Sequence, residues 1–159
     1  MNSSPKGFAL LVAVILTSVT LTIGLAILDV AYKQVTLATT AKQSQYAFYN
    51  AESVMECALY YDQKYNSFDF VTGNTTGAGM SCGGVVLTNV SAAYSSTVPP
   101  PGTTRVTTFA KVCPAGTGIS GNVSIYKNVS GATEIYASGF NSCNVAEPNR
   151  IERALKAKY

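Results

Sequence analysis

Lys6-Gly7-Phe8-Ala9-Leu10-Leu11-Val12-Ala13-Val14-Ile15-Leu16 opens an apolar run that continues to Leu28, and its reading decides the fold. Phe8 to Leu28 is 21 residues without a charge. At about 1.5 Å per residue a helix of that length spans roughly 31 Å, the thickness of a bilayer's hydrocarbon core. Lys6 stands before the run and Asp29 ends it. The positive-inside rule then predicts a cytoplasmic leader, residues 1–7, and export of everything beyond the helix.

A secretory signal has an apolar region of about 7–15 residues followed by a small-residue cleavage site. Here the run is longer, and no helix breaker follows it. From Val30 to Tyr65 there is neither Pro nor Gly. The membrane helix is therefore predicted to leave the bilayer as one rod, ending near Tyr65 before Asn66-Ser67. Thr17, Ser18, Thr20 and Thr22 are compatible with lipid, because their hydroxyls can bond to carbonyls of the preceding turn. Gly24 is the one strong helix-weakening residue inside the rod, and glycine is common in membrane helices.

A leader ending in Lys6-Gly7, then Phe8-Ala9-Leu10-Leu11 and a long apolar helix, resembles the type III signal of type IV pilins and pseudopilins. The resemblance implies cleavage between Gly7 and Phe8 by prepilin peptidase and N-methylation of Phe8. The rival is an uncleaved single-pass anchor. Most major pilins of this family carry Glu at the fifth mature residue, where it can neutralise a neighbour's terminal amine. That position is Val12 here. Burying an unpaired ammonium is costly, so a subunit without the carboxylate is poorly suited to repeated addition. Within the family this lack is associated with the tip pseudopilin and some minor pilins.

Gln43 to Asp62 is amphipathic. At about 100° per residue Ala47, Ala51, Val54 and Ala58 share one face, and Glu52 and Glu56 lie opposite. The small apolar stripe is predicted to receive a sheet, with Cys57 on its flank. Tyr46-Ala47-Phe48-Tyr49-Asn50-Ala51-Glu52-Ser53 and Glu56-Cys57-Ala58 resemble the A-x-Y-x-A-E-[AS]-G-x-E-x-A stretch of PilX-type and K-type (tip) minor pilins. Val54 stands where the family usually has Gly. Five of the ten tyrosines, Tyr46, Tyr49, Tyr60, Tyr61 and Tyr65, crowd this half of the helix. They are expected to pack between helix and sheet, with an adhesive or inter-subunit surface as the alternative.

Phe68 to Gly84 is loop-like, and Thr72-Gly73-Asn74-Thr75-Thr76-Gly77-Ala78-Gly79 is nearly all turn chemistry. Strands are predicted at Val85–Val90, Thr104–Val112, Val123–Lys127 and Glu134–Phe140, the last two joined by a turn at Asn128-Val129-Ser130-Gly131. Pro99-Pro100-Pro101 excludes a central strand. Arg150 to Tyr159 reads as an edge strand guarded by charge, with a short helix as the alternative. The expected fold is α+β, a pilin-like lollipop: a helix over about 8–65 on a small antiparallel sheet. Its parts are a leader (1–7), a membrane and assembly helix (8–28), an amphipathic continuation (29–65) and an extracellular β-rich domain (66–159).

Cys57, Cys82, Cys113 and Cys143 form no C-x-x-C, and the chain has no His, which argues against a zinc site. An even count in an exported domain points to two disulfides. Three pairings exist. Short loops favour Cys57–Cys82 with Cys113–Cys143. Charged residues make up 12% of the chain and the net charge is +3, too small a surplus for a nucleic-acid binder. Gly116-Thr117-Gly118-Ile119-Ser120-Gly121 spells G-x-G-x-x-G, but a strand follows it where a dinucleotide site needs a helix. It is expected to be a glycine loop. Without His there is no Ser-His-Asp triad. Glu52 and Glu56, a turn apart, are expected to solvate the rod. No enzyme, cofactor or metal site is predicted. The sequons at Asn74, Asn89, Asn122 and Asn128 mark surface loops.

The function expected is a minor subunit of a type IV pilus or type II secretion-like pseudopilus, priming or capping the filament. The alternatives are a pilus-borne adhesin or DNA-uptake pilin, and a membrane-anchored domain that never assembles. The implied partners are prepilin peptidase, other pilin subunits through the helix, an inner-membrane platform and the membrane itself. The implied location is the inner (cytoplasmic) membrane before assembly and a cell-surface filament after it.

Overall fold

Past Gly7 the first 65 residues contain one glycine, Gly24, and no proline beyond the leader, so nothing interrupts backbone hydrogen bonding. In the computed structural model this stretch is a single helix, α1, Lys6–Tyr65. The structure describes residues 6–72, 79–96, 103–113 and 118–159. Helix α1 begins inside the predicted leader and stops where expected. Asn66 ends it in the left-handed region, at φ 48°, which Asn tolerates better than most residues. Its N–H donates to the Asp62 carbonyl and the Ser67 N–H to that of Tyr61, both at 3.0 Å, so the last turn keeps its partners.

The chain divides into two units, Met1–Ala41 and Lys42–Tyr159, and α1 runs through the division. In the first unit the side chains from Phe8 onward are exposed. The apolar part of α1 has a mean hydropathy of 2.5, long and apolar enough to cross a membrane. Its hydroxyls bond inward as expected: Thr17 to the Val14 carbonyl, Ser18 to Ile15, Thr20 to Leu16 and Thr17, and Thr22 to Val19. Asp29 and Lys33, one turn apart, form an ion pair at 2.7 Å.

The second unit holds residues 42–65 of α1 and a six-stranded antiparallel sheet. Its strands are β1 (Ser81–Cys82), β2 (Val85–Ser95), β3 (Thr104–Val112), β4 (Ile119–Asn128), β5 (Thr133–Phe140) and β6 (Glu152–Lys158). They lie side by side in sequence order. The register runs Thr107↔Ile125 between β3 and β4, Ile125↔Ile135 between β4 and β5, and Ile135↔Ala157 between β5 and β6. One inner row thus crosses four strands, with Thr107 on β3 and apolar side chains on β4, β5 and β6.

The core lies between this row and α1. Val54, Met55 and Ala58 pack with Phe68, Met80, Leu87, Phe109, Val123, Ile125, Ile135 and Ala137. Ala47, Ala51, Val54 and Ala58 are fully buried, while Glu52 and Glu56 are exposed. The stripe is small because the sheet comes close. At Gly139 an added Cβ would lie 2.1 Å from the Ala51 nitrogen and 2.3 Å from the Ala47 carbonyl oxygen. At Gly121 it would lie 3.0 Å from a Val54 methyl.

The structure corrects several expectations. The stretch Phe68–Gly84 is not only loop. It contains β1, and Phe68 is fully buried, stacked on Phe109 with ring centroids 5.9 Å apart. Strand β2 extends to Ser95 and β4 begins at Ile119. Ile119, Ser120 and Gly121 are therefore strand residues, not glycine loop. Gly116, Thr117, Asn74 and Pro99–Pro101 lie outside the described residues, as do residues 1–5. Arg150–Tyr159 does hold the expected edge strand and not the alternative helix, since β6 pairs with β5 along its whole length and ends the sheet.

Candidate functional site

The residues singled out from the sequence fall in two places. The Gly7–Phe8 bond lies in the first turn of α1, and no acidic side chain sits in that turn. The first N–H groups of a helix have no intrahelical partners, so such a turn opens more readily than one farther in. Phe8 is 74% exposed and Val12 is 36% exposed. Both lie on the exposed apolar surface of this end of the helix.

The second place is the unit Lys42–Tyr159, where one disulfide and several polar pins fix the sheet to α1. Cys57 of α1 is bonded to Cys82 of β1, and Cys113 to Cys143. The amphipathic count placed Cys57 on the flank of the buried stripe, and from there it reaches the short strand at the sheet's edge. Tyr61 joins the same corner, its hydroxyl accepting the Ser81 N–H at 2.9 Å. The other disulfide closes the segment after β5. Gly118 lies so near Cys143 that an added Cβ would be 1.9 Å from the Cys143 carbonyl oxygen. Beyond it Asn141 takes the Ile151 N–H on its side-chain oxygen at 2.6 Å, and Ser142 bonds to Glu147. The Arg150 guanidinium lies 3.7 Å above the Phe140 ring.

Polar side chains that sequence reasoning did not single out hold the helix end. Asp62 follows Ala58 by four residues and so continues the buried stripe as a carboxylate. It pairs with Lys127 of β4 at 2.7 Å and accepts the Tyr159 hydroxyl at 2.6 Å. Burial first, and then the Asp62 carboxylate, pushes the Tyr159 phenol well above its usual range. A charge interrupting an apolar stripe was the available signal. Asn50 donates to the Phe140 carbonyl at 2.8 Å, and Arg105, buried, donates to the Asp69 carbonyl. On β5 Glu134 is buried between Lys156 and Lys158 of β6, at 3.0 and 3.1 Å, and accepts from Tyr136. The bonds from Lys156 and then Lys158 hold its carboxyl below the usual range.

The tyrosines depart from expectation. Of the five in this half of α1 only Tyr61 is half-buried, and Tyr46, Tyr49, Tyr60 and Tyr65 are exposed. Two of the sequon asparagines also differ: Asn122 is exposed on β4, whereas Asn128 is buried and takes the Ala132 N–H at 2.9 Å to shape the β4–β5 turn. Among the described residues no group of three or more His, Cys, Asp or Glu is placed to hold a metal ion.

No protein-family model matches the chain, and comparisons with curated proteins and with solved structures return no match. What stands is the architecture: a long apolar N-terminal helix, an antiparallel sheet after it and two disulfides, an arrangement compatible with a pilin-like fold.

Proposed function

We propose that this chain is a minor structural subunit of a type IV pilus or type II secretion-like pseudopilus, one that primes or caps the filament. The observation that carries the reading is the continuity of α1. A single helix runs from the leader to Tyr65, with its apolar side chains bare up to Ala41 and its small stripe buried under a sheet thereafter. Bare apolar surface of this extent needs cover. Lipid supplies it before assembly, and the helices of other subunits supply it afterwards. The exchange costs little, because the same side chains stay out of water throughout.

In this reading prepilin peptidase cuts between Gly7 and Phe8, Phe8 is N-methylated, and an inner-membrane platform draws the helix out of lipid. The exported unit remains outside, held by its disulfides as oxidising compartments permit. Val12 supports priming or capping in this reading, since it provides no carboxylate for a neighbour's amine. Mass spectrometry of the mature N-terminus tests the proposal. The expected terminus is N-methylated Phe8. An intact Met1, or a terminus beyond Leu28, overturns it.

A further inference from the structure

The sequon Asn122-Val123-Ser124 lies in β4 with its polar groups unused by the fold. Val123 belongs to the core beneath α1, so strand alternation turns Asn122 and Ser124 to the other face of the sheet. Asn122 is exposed there. Among the described residues neither its amide nor the Ser124 hydroxyl has a hydrogen-bond partner. The residues beside Asn122 on the flanking strands are small, Ala110 on β3 and Ser138 on β5. Thr108 stands opposite Ser124. Next to Asn122 the sheet has a hollow of about 230 Å³, lined by Thr108, Ala110, Asn122 and Ser124 among others. The sequon Asn128-Val129-Ser130 is different. Asn128 is buried, and its oxygen takes the Ser130 hydroxyl at 2.8 Å and the Ala132 N–H at 2.9 Å, so that side chain is committed to the β4–β5 turn.

We infer that Asn122 carries an N-linked oligosaccharide. Asn-x-Ser is the acceptor pattern for this modification. The donor class is an oligosaccharide carried on a polyprenyl diphosphate. The Asn122 Nδ2 bonds to the anomeric carbon of the first sugar, and the bond from that carbon to the diphosphate oxygen breaks. The lipid diphosphate leaves with the electron pair, and one Nδ2 proton passes to a base of the transferase. Strand β4 is paired on both sides in the finished sheet, so its backbone cannot then bend into a transferase. Transfer therefore comes before the sheet closes. The hollow afterwards receives the first sugar. The Thr108 and Ser124 hydroxyls donate to and accept from its hydroxyls, and the Ala110 methyl meets its apolar ring face. On a crowded strand a sequon would have no such room. The inference rests on the proposed function only in placing this unit outside the cytoplasm, where such transfer takes place.

The test is peptide mass spectrometry of the full-length protein purified from the cells that make it. The peptide containing Asn122 is expected to be heavier by the mass of an oligosaccharide and to release sugar fragment ions. Asn122→Gln is expected to abolish the increment. Ser124→Ala, which keeps the asparagine, should abolish it too, while Ser124→Thr and Asn128→Gln keep it. Oxidation of all four cysteines in each variant shows that the unit has folded. An unmodified Asn122 in the parent protein overturns the inference. So does a sugar that survives Ser124→Ala, or one on another residue with Asn122 bare. The same spectra read the N-terminus and keep the two proposals apart. Methylated Phe8 with a bare Asn122 overturns this inference alone, and an intact Met1 with a modified Asn122 overturns the filament reading alone.

Discussion

Gly139 of β5 lies against Ala51 of α1 so closely that a methyl group at Gly139 would meet the Ala51 backbone nitrogen at 2.1 Å. Two elements distant in sequence meet here without a side chain between them. The atoms in the way are helix backbone, which cannot turn aside as a side chain would.

Gly139→Ala is therefore expected to destabilise the sheet-bearing unit by about 1–3 kcal/mol or more, because the helix must lift off the sheet. Ser138→Ala, next to it on the other face, should stay within about 0.5 kcal/mol of the parent. Thermal denaturation followed by circular dichroism separates the two, and equal midpoints would contradict the packing described.

Asp62→Asn keeps an acceptor for Tyr159 but leaves the Lys127 ammonium, 12% exposed, without its counter-charge. Breaking one partner of such a pair costs about 3–5 kcal/mol. Adding Lys127→Met removes the stranded charge, so the double variant is expected to be more stable than Asp62→Asn alone. Denaturant midpoints of the four proteins in the cycle give the answer.

Each disulfide closes a moderate loop, with separations of 25 and 30 residues. Chain entropy alone gives about 3.5 kcal/mol for a loop of either size. Replacing Cys57 and Cys82 by Ser, or Cys113 and Cys143, should lower stability by comparable amounts. Both losses should appear together on reduction of the parent protein.

Acid should weaken the fold in a defined window. The backbone N–H groups of Thr72 and Val71 and the Thr72 hydroxyl hold the Asp69 carboxyl down to about 2, from an ordinary 3.8. A carboxylate depressed on folding contributes stability above its unfolded value, and that contribution is lost as pH falls through the folded one. Glu134 acts in the same direction. Denaturation midpoints should fall between about pH 4 and 2, and fall less steeply in Asp69→Asn. At the alkaline end the signs reverse. Tyr159 and Lys156 are both raised, so their contributions are complete below their ordinary values and are lost as pH rises through the higher folded ones.

Val12→Glu supplies the carboxylate that the proposed filament position lacks. The variant is expected to be processed normally and to enter filaments in more copies, as read by immunoblotting of sheared filaments. Loss of assembly altogether would count against a priming or capping role.

The helix was legible because its signals agree over a long distance. No Pro interrupts Phe8 to Tyr65, and Ala47, Ala51, Val54 and Ala58 repeat at the helical period. Strands β3 and β5 were legible within a residue because alternation and flanking turn residues mark them. Strand β1 was not, since two residues beside Gly83-Gly84 carry no period. Phe68 was missed because its neighbours Asn66, Ser67 and Asp69 read as a break, while its burial depends on Phe109 far along the chain. The tyrosines misled for a related reason. Composition says they favour contacts, but the side of α1 that meets the sheet is fixed by backbone proximity at Gly139, which leaves room for alanine and not for rings. Asp62 was visible as a charge in the wrong place, and its partners Lys127 and Tyr159 follow only from strand order.

That strand order has a consequence for how the protein is made. Every strand pairs with the next in sequence, and the two disulfides follow one another without overlapping. A chain made with α1 ahead of the sheet never needs a segment that has not yet arrived. The helix is delivered first and serves as the template, each hairpin zips onto the last, and each crosslink closes over a loop already complete. Such a build exposes few unpaired strand edges at any moment. Under the proposed function it suits a unit that finishes folding outside the cell, where no ATP-driven chaperone attends it.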